Sequence, residues 1–187
     1  MPFFSWLKPD DGMGQIMGHR PDRFLPLAQF TDDVLRGPSE LSIGEREMIA
    51  AYVSGVNECE FCHGSHAAVA VAYGIDAEVF GKIMADVETA PVDAKWKPLL
   101  RYLRKLTVAP AKLVRADFDA VIAAGWSETA FEDAISVAAL FNLYNRMVEG
   151  HGVKGGWRDY FPKLREMLEV NGYQGRLRQS QPPTAAE

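Results

Sequence analysis

Apolar residues in this chain recur at steps of three and four, and no segment shows β-branched alternation bounded by tight two-residue turns. A sheet has nothing to build on, and the Ala, Leu, Glu and Met content favours helix, so the sequence predicts an all-α fold. The clearest stripe follows Ser42, which forms a capping box with Glu45: hydroxyl and carboxylate each satisfy a backbone N–H at the helix start. A helix over Ile43–Val56 follows, with Met48, Ile49, Tyr52, Val53 and Val56 on the buried face and Glu47 one residue off it. Asn57 reads as the N-cap of a second helix over 59–73, which Gly74 stops.

Further helices are predicted at 26–35, ended by Gly37-Pro38, at 77–87, and at 94–107 after the cap Asp93, with Pro98 favouring a start nearer Lys97. Others follow at 116–124, at 128–149 behind the cap Ser127, and at 158–170. The helix at 128–149 is the longest, with Ala134, Val137, Phe141, Tyr144 and Val148 on one face. Residues 1–20, with their prolines and glycines, read as an extended arm, 21–170 as one all-α domain and 171–187 as a flexible polar tail.

At 187 residues, 48% hydrophobic and 24% charged, the chain suits a single globular domain. A net charge of -5 and a pI near 5.4 give no basic surface for phosphates, which argues against nucleic acid as a partner. No run approaches the roughly 18 to 20 apolar residues that span a bilayer, and Met1 to Asp11 lacks the basic start and apolar core of a secretory signal. The expectation is a cytoplasmic protein with no membrane contact. In a reducing compartment a lone cysteine pair is more often catalytic or metal-binding than a structural staple.

That pair is Cys59 and Cys62, the only two cysteines, in Glu58-Cys59-Glu60-Phe61-Cys62-His63-Gly64-Ser65-His66. On a helix advancing about 100° per residue, Cys62 lies about 60° from Cys59, and His66 falls between them, so the three share a face. Neighbours three apart lie within disulfide reach, and a helix N-terminus beside an imidazole favours thiolate over thiol. The pair is a competent dithiol-disulfide switch. Cys59-x-x-Cys62-His63 also spells a c-type haem attachment, which normally requires export. Cys59, Cys62, His63 and His66 are four zinc-type ligands, but about 10 Å of helix separates the first from the last, so a metal would need ligands from elsewhere.

The wider arrangement, Leu41-Ser42-x-x-Glu45-Arg46-Glu47, twelve residues from Glu47 to Cys59, then Cys59-x-x-Cys62-x-x-x-His66, closely resembles the AhpD-like alkyl hydroperoxidases of the carboxymuconolactone decarboxylase superfamily. The likeness runs from about Pro26 to Gly74 and resumes at 134–152, which is similar to the long helix of the peroxidase-related subgroup. The resemblance implies an AhpD-like helical bundle, a homo-oligomer, and a thiol-dependent peroxidase with no cofactor and no metal. It implies that Cys62 attacks a small hydroperoxide, that Cys59 resolves the sulfenic acid as a disulfide, and that Glu47 and His66 relay protons. An external thiol donor then restores the pair; dihydrolipoyl groups serve some relatives. The best-studied hydroperoxide reductases of the family carry His immediately before the second cysteine, where this chain has Phe61.

Read without the resemblance, free cysteines are small buried hydrophobes, Glu47 is a surface helix residue, and Phe61, Trp96, Trp126, Phe141 and Tyr144 belong to the core. His19, His63 and His151 have no partner in the sequence that gives them a role. A non-thiol decarboxylase of the same superfamily and a metal-binding structural module remain the alternatives.

Overall fold

A computed structural model describes residues 1–154, 166, 169, 172–175 and 177. Eight α-helices order residues 1–154: α1 Met13–His19, α2 Pro21–Arg36, α3 Ile43–Val56, α4 Glu60–Ala72, α5 Glu78–Ala85, α6 Trp96–Val108, α7 Arg115–Ala123 and α8 Glu128–Gly150. A single 3-10 turn, Pro110–Lys112, joins α6 to α7, and no strand occurs among the described residues. This is the all-α architecture that the periodicity predicts.

α3 is the axis of the bundle. Its capping box forms as expected, with Ser42 Oγ accepting from Glu45 N and Glu45 Oε2 accepting from Ser42 N. Beyond the first turn, every residue from Arg46 to Ser54 is buried, so α3 has no solvent face at all. The stripe that marks one buried side therefore understates its burial, and α4, α8, α5, α6 and α2 each pack against it. Tyr52 and Ile49 are fully buried, and each such side chain contributes about 1.5 to 3 kcal/mol through apolar area removed from water. Even Arg46 is enclosed: its Nη1 donates to Val34 O and Gly37 O and so satisfies carbonyls at the end of α2.

Ser127 caps α8 through Ala130 N, and α6 starts at Trp96 because Pro98 is tolerated in a first turn. Asp93 acts just upstream, where its Oδ1 accepts from Lys95 N. α2 begins at Pro21 rather than near Pro26; Pro21 suits N1, and Pro26 lies inside the helix, where it forgoes one backbone bond.

The ends of the chain differ from expectation. Residues 1–20 are not an extended arm throughout, since 13–19 form α1, on which Ile16 and Met17 are buried. An apolar pair one residue apart gave too short a pattern to mark a helix, and burial of those side chains decides it. Of the expected tail, residues 172–175 and 177 are helical; Tyr173 N and Gln174 N donate to the Asp32 carboxylate, and Leu177 is 3% exposed. Asp32 thus supplies acceptors to this segment, and Leu177 joins the core. The helix expected at 158–170 falls outside the described residues except for 166 and 169, both helical.

Candidate active site

The turn between α3 and α4 places the thiols. Asn57 ends α3 as its C-cap, and Glu58 takes a left-handed conformation with φ of 57°. Glu58 N donates to Gly55 O and Cys59 N to Ser54 O, both at 2.9 Å, so the chain reverses within three residues. The N-cap of α4 is therefore Cys59, not Asn57 as the sequence suggests. The Asn57 side chain instead donates across the bundle to Asn142 Oδ1 and Asn145 Oδ1 on α8.

Cys59 has no exposed surface and Cys62 only 4%; both are free thiols. Each shifts the other's proton affinity. The Cys62 side chain and, more weakly, the Cys62 N–H pull the Cys59 thiol below its ordinary pKa, against burial and the nearby Glu149 carboxylate. Cys59 and burial push Cys62 well above its ordinary value, although a hydrogen bond from Asn145 works the other way. Of the two sulfurs, Cys59 is the one whose thiolate the surroundings favour. This is the opposite order to one in which Cys62 would be the resting thiolate.

His66 follows Cys62 by one turn on α4, so both project from the same side. His66 Nδ1 lies 2.5 Å from Glu47 Oε2, and Arg36 Nη2 donates to Glu47 Oε1 at 2.5 Å. Glu47 is fully buried because α3 has no exposed side, contrary to its reading as a surface residue. Burial opposes its charge, yet His66 and Arg36 more than offset that and hold the carboxyl below its usual range. The His66 ring meets Phe141 edge-on at 4.4 Å. Tyr144 bonds Thr31 Oγ1 at 2.5 Å and is pushed up to about 12 by burial. The Tyr173 hydroxyl is buried beside Glu47 and Arg36, and burial pushes its pKa well above the ordinary value.

On α8, Asn145 Nδ2 donates to Ser54 Oγ at 3.0 Å, and its Oδ1 accepts from Asn57. Arg36, Asn145 and Glu149 are the groups around the site that the sequence reading missed. Asn142, Asn145 and Glu149 stand three and four residues apart along α8, a polar stripe that would have marked them.

The N-terminal segment covers the thiols. Leu7 and Ile16, with Val148 and Val153, form an apolar cluster around Cys59 and Cys62, against which Met13 and Phe61 pack. Gly12 allows a close approach there: a Cβ on it would stand 2.7 Å from the tip of the Phe61 ring, which would have to shift. Phe3 N donates to His151 O at 2.9 Å, Phe4 lies 4.8 Å from the His151 ring, and Trp6 stacks on His19 at 3.9 Å. His19 and His151 thus anchor the cover. His63 is turned away, with Nδ1 2.9 Å from Ala51 O. Among the described residues no group of three or more His, Cys, Asp and Glu is placed to hold a metal ion.

Residues 21–105 match the model of the carboxymuconolactone decarboxylase family. No curated protein matches the chain. Among solved structures, an uncharacterized peroxidase-related protein from Silicibacter sp. TM1040 is 26% identical, with TM-score 0.70, over 76% of this chain and 74% of that one. A second, from Ralstonia eutropha JMP134, described as an alkylhydroperoxidase AhpD core and an uncharacterized peroxidase-related protein, is 27% identical, with TM-score 0.71, over 78% of this chain and 76% of that one. Fold, matched segment and neighbours agree, and together they support assignment of the chain to the AhpD-like carboxymuconolactone decarboxylase superfamily.

Proposed function

We propose that this protein is a thiol-dependent peroxidase that reduces small hydroperoxides through a Cys59/Cys62 dithiol-disulfide cycle, with Glu47 and His66 as its proton relay. The observation that carries this reading is the pair of free, buried thiols at the start of α4, one turn from an imidazole held by a buried carboxylate. Ionised Glu47 only accepts hydrogen bonds, so His66 carries its hydrogen on Nδ1 and Nε2 is left as the base. That base takes the Cys62 proton, the sulfur attacks the terminal oxygen, and the O–O bond breaks. Cys62 becomes a sulfenic acid, and the alkoxide leaves as the alcohol after taking the proton from His66. Cys59 then displaces hydroxide from the sulfenic acid, giving the disulfide and water, and an external dithiol such as a dihydrolipoyl group reduces the pair.

In this reading the protein works in the cytoplasm as a homo-oligomer; no described helix is long and apolar enough to cross a membrane. Turnover of an organic hydroperoxide with a dithiol donor tests the reaction. Cys62→Ser should abolish it, and full activity in that variant overturns the mechanism.

The burial of both sulfurs and the family's name favour a second reading, a non-thiol decarboxylase-type enzyme of the same superfamily. Activity on a lactone acid that survives alkylation of both cysteines would select it.

A further inference from the structure

Arg36 holds one oxygen of Glu47 while His66 holds the other. The guanidinium ends a long side chain from the last residue of α2, and that side chain is 16% exposed. Its Nη2 donates to Glu47 Oε1 at 2.5 Å and its Nη1 to Leu35 O at 2.9 Å, whereas Nε is sealed from solvent without a hydrogen-bond partner among the described residues. A rotamer-rich arm held by so few bonds needs something else to fix its head.

Two aromatic rings stand where they can do so. Arg36 Cζ lies 5.8 Å from the centroid of the Tyr73 ring and 5.9 Å from that of Tyr173, both within cation–π reach. Residues near the C-terminus set both rings. Glu169 Oε1 accepts from the Tyr73 hydroxyl at 3.0 Å. The Tyr173 backbone is gripped one helical turn before Arg36 on α2, where Asp32 Oδ1 accepts from Tyr173 N at 2.7 Å and Oδ2 from Gln174 N at 3.1 Å. Gly172 permits that grip: its φ is 60°, and a Cβ on it would stand 2.9 Å from Asp32 Oδ1. Leu177, buried in the main core, anchors the segment beyond. The Tyr173 hydroxyl is enclosed and has no hydrogen-bond partner among the described residues, so the ring, not the oxygen, is what the segment brings to Arg36.

We infer that Tyr173 is a positioning residue of the proton relay. Its ring, with that of Tyr73, steadies the Arg36 guanidinium; Arg36 holds Glu47 Oε1; and Glu47 Oε2 is thereby kept against His66 Nδ1. The segment around Tyr173 is a clasp on the relay, reaching it through α2 rather than through the helix that carries the thiols. The inference rests on the peroxidase reading for the reaction that the relay serves, whereas the hold of Tyr173 on Arg36 can be read without any substrate.

The test compares full-length Tyr173→Phe, which keeps the ring and drops the hydroxyl, with Tyr173→Leu, which keeps an apolar side chain and drops the ring. Single-turnover consumption of cumene hydroperoxide should stay within about twofold of wild type in Tyr173→Phe and slow by about tenfold in Tyr173→Leu, since a small misplacement of an acting group costs up to about 10²-fold. NMR on arginine-labelled protein reads the hold directly. Wild type and Tyr173→Phe should show separate Nη signals from a slowly rotating Arg36 guanidinium, and Tyr173→Leu a single averaged signal. A residue that only packs would lower the thermal midpoint and leave those signals alike. Tyr173→Leu at the wild-type rate overturns the inference, and so does Tyr173→Phe as slow as Tyr173→Leu, because the hydroxyl would then be the acting group. A wild type that ignores hydroperoxides sinks the peroxidase reading alone. The guanidinium signals then decide: averaging in Tyr173→Leu but not in Tyr173→Phe keeps the positioning role, and separate signals in both remove it. Should Tyr173→Leu not fold, Asp32→Asn takes its place, since it turns one of the two acceptors that grip the Tyr173 backbone into an amide donor. Averaged Arg36 signals in that variant support the inference, and unchanged signals overturn it.

Discussion

Glu47 reaches His66 from a different helix: its Oε2 lies 2.5 Å from His66 Nδ1, while its other oxygen holds Arg36 at the same distance. The carboxylate is therefore clamped between a helix that carries the thiols and a helix that does not. Its orientation is fixed before any substrate arrives, as a proton relay requires.

Glu47→Gln keeps the shape but loses the charge that makes His66 a base. Hydroperoxide turnover with a dithiol donor should fall by about 100-fold, within the range general-base groups contribute. Glu47→Ala leaves the partly exposed Arg36 without its partner and should also lower the unfolding free energy in urea by about 1 to 3 kcal/mol. Wild-type turnover in Glu47→Gln would remove the relay.

Acid should unfold the protein partly through this same group. The Glu47 carboxyl is held below its usual range in the folded protein, so its stabilising contribution is complete above the unfolded value of about 4.3 and is lost as pH falls through the folded value. Urea midpoints of wild type and Glu47→Gln should differ most at neutral pH, and the gap should narrow as pH falls below about 4.3. A gap that stays constant from pH 7 to pH 3 would contradict this.

Much of the fold was legible because caps and stripes act locally. Ser42 with Glu45, and Ser127 before α8, mark helix starts that the structure reproduces, and Ile43–Val56 has the predicted ends. Glu47 and His66 were legible only through their spacing to the cysteines, since nothing local tells a buried glutamate from an exposed one. Arg36, Asn145 and Glu149 come from α2 and α8, and their approach to α4 depends on packing that no short window records. The N-terminal cover was missed for the same reason: Leu7 and Ile16 are too few to form a stripe, and the cysteines they bury lie more than forty residues away.

Deleting residues 1–12 should uncover the thiols. Leu7, the Phe3 and Trp6 anchors and the Gly12 cap of α1 all leave together, and Ile16 loses its support. Each 1.4 kcal/mol or so removed from the opening free energy speeds reagent access about tenfold. Iodoacetamide labelling of Cys59 and Cys62 should accelerate by at least about tenfold. An unchanged rate would mean that reagents reach the sulfurs by another route.

Glu58→Gly should stabilise the α3–α4 turn. A side chain at φ of 57° costs about 1 to 2 kcal/mol, and glycine removes that cost while adding unfolded-state entropy. The net gain should be under about 1 kcal/mol, read as a small rise in the thermal midpoint. A clear fall would show that the Glu58 side chain does more than occupy a turn.

Asn145 should matter in two separable ways. Its amide ties Ser54 and Asn57 into α8, and it donates toward Cys62, favouring the thiolate there. Asn145→Ala leaves those groups short of partners and should cost about 1 to 3 kcal/mol. It should also push the Cys62 thiol higher still, so first-turnover hydroperoxide consumption slows at pH 7 and recovers as pH rises and the thiolate is restored by mass action. Ser54→Ala separates the two effects, because it breaks the bond to Ser54 but keeps the donor to Cys62. Its stability should fall while its first-turnover rate at pH 7 stays nearer wild type. Equal rates in the two variants across pH would reduce Asn145 to a packing residue.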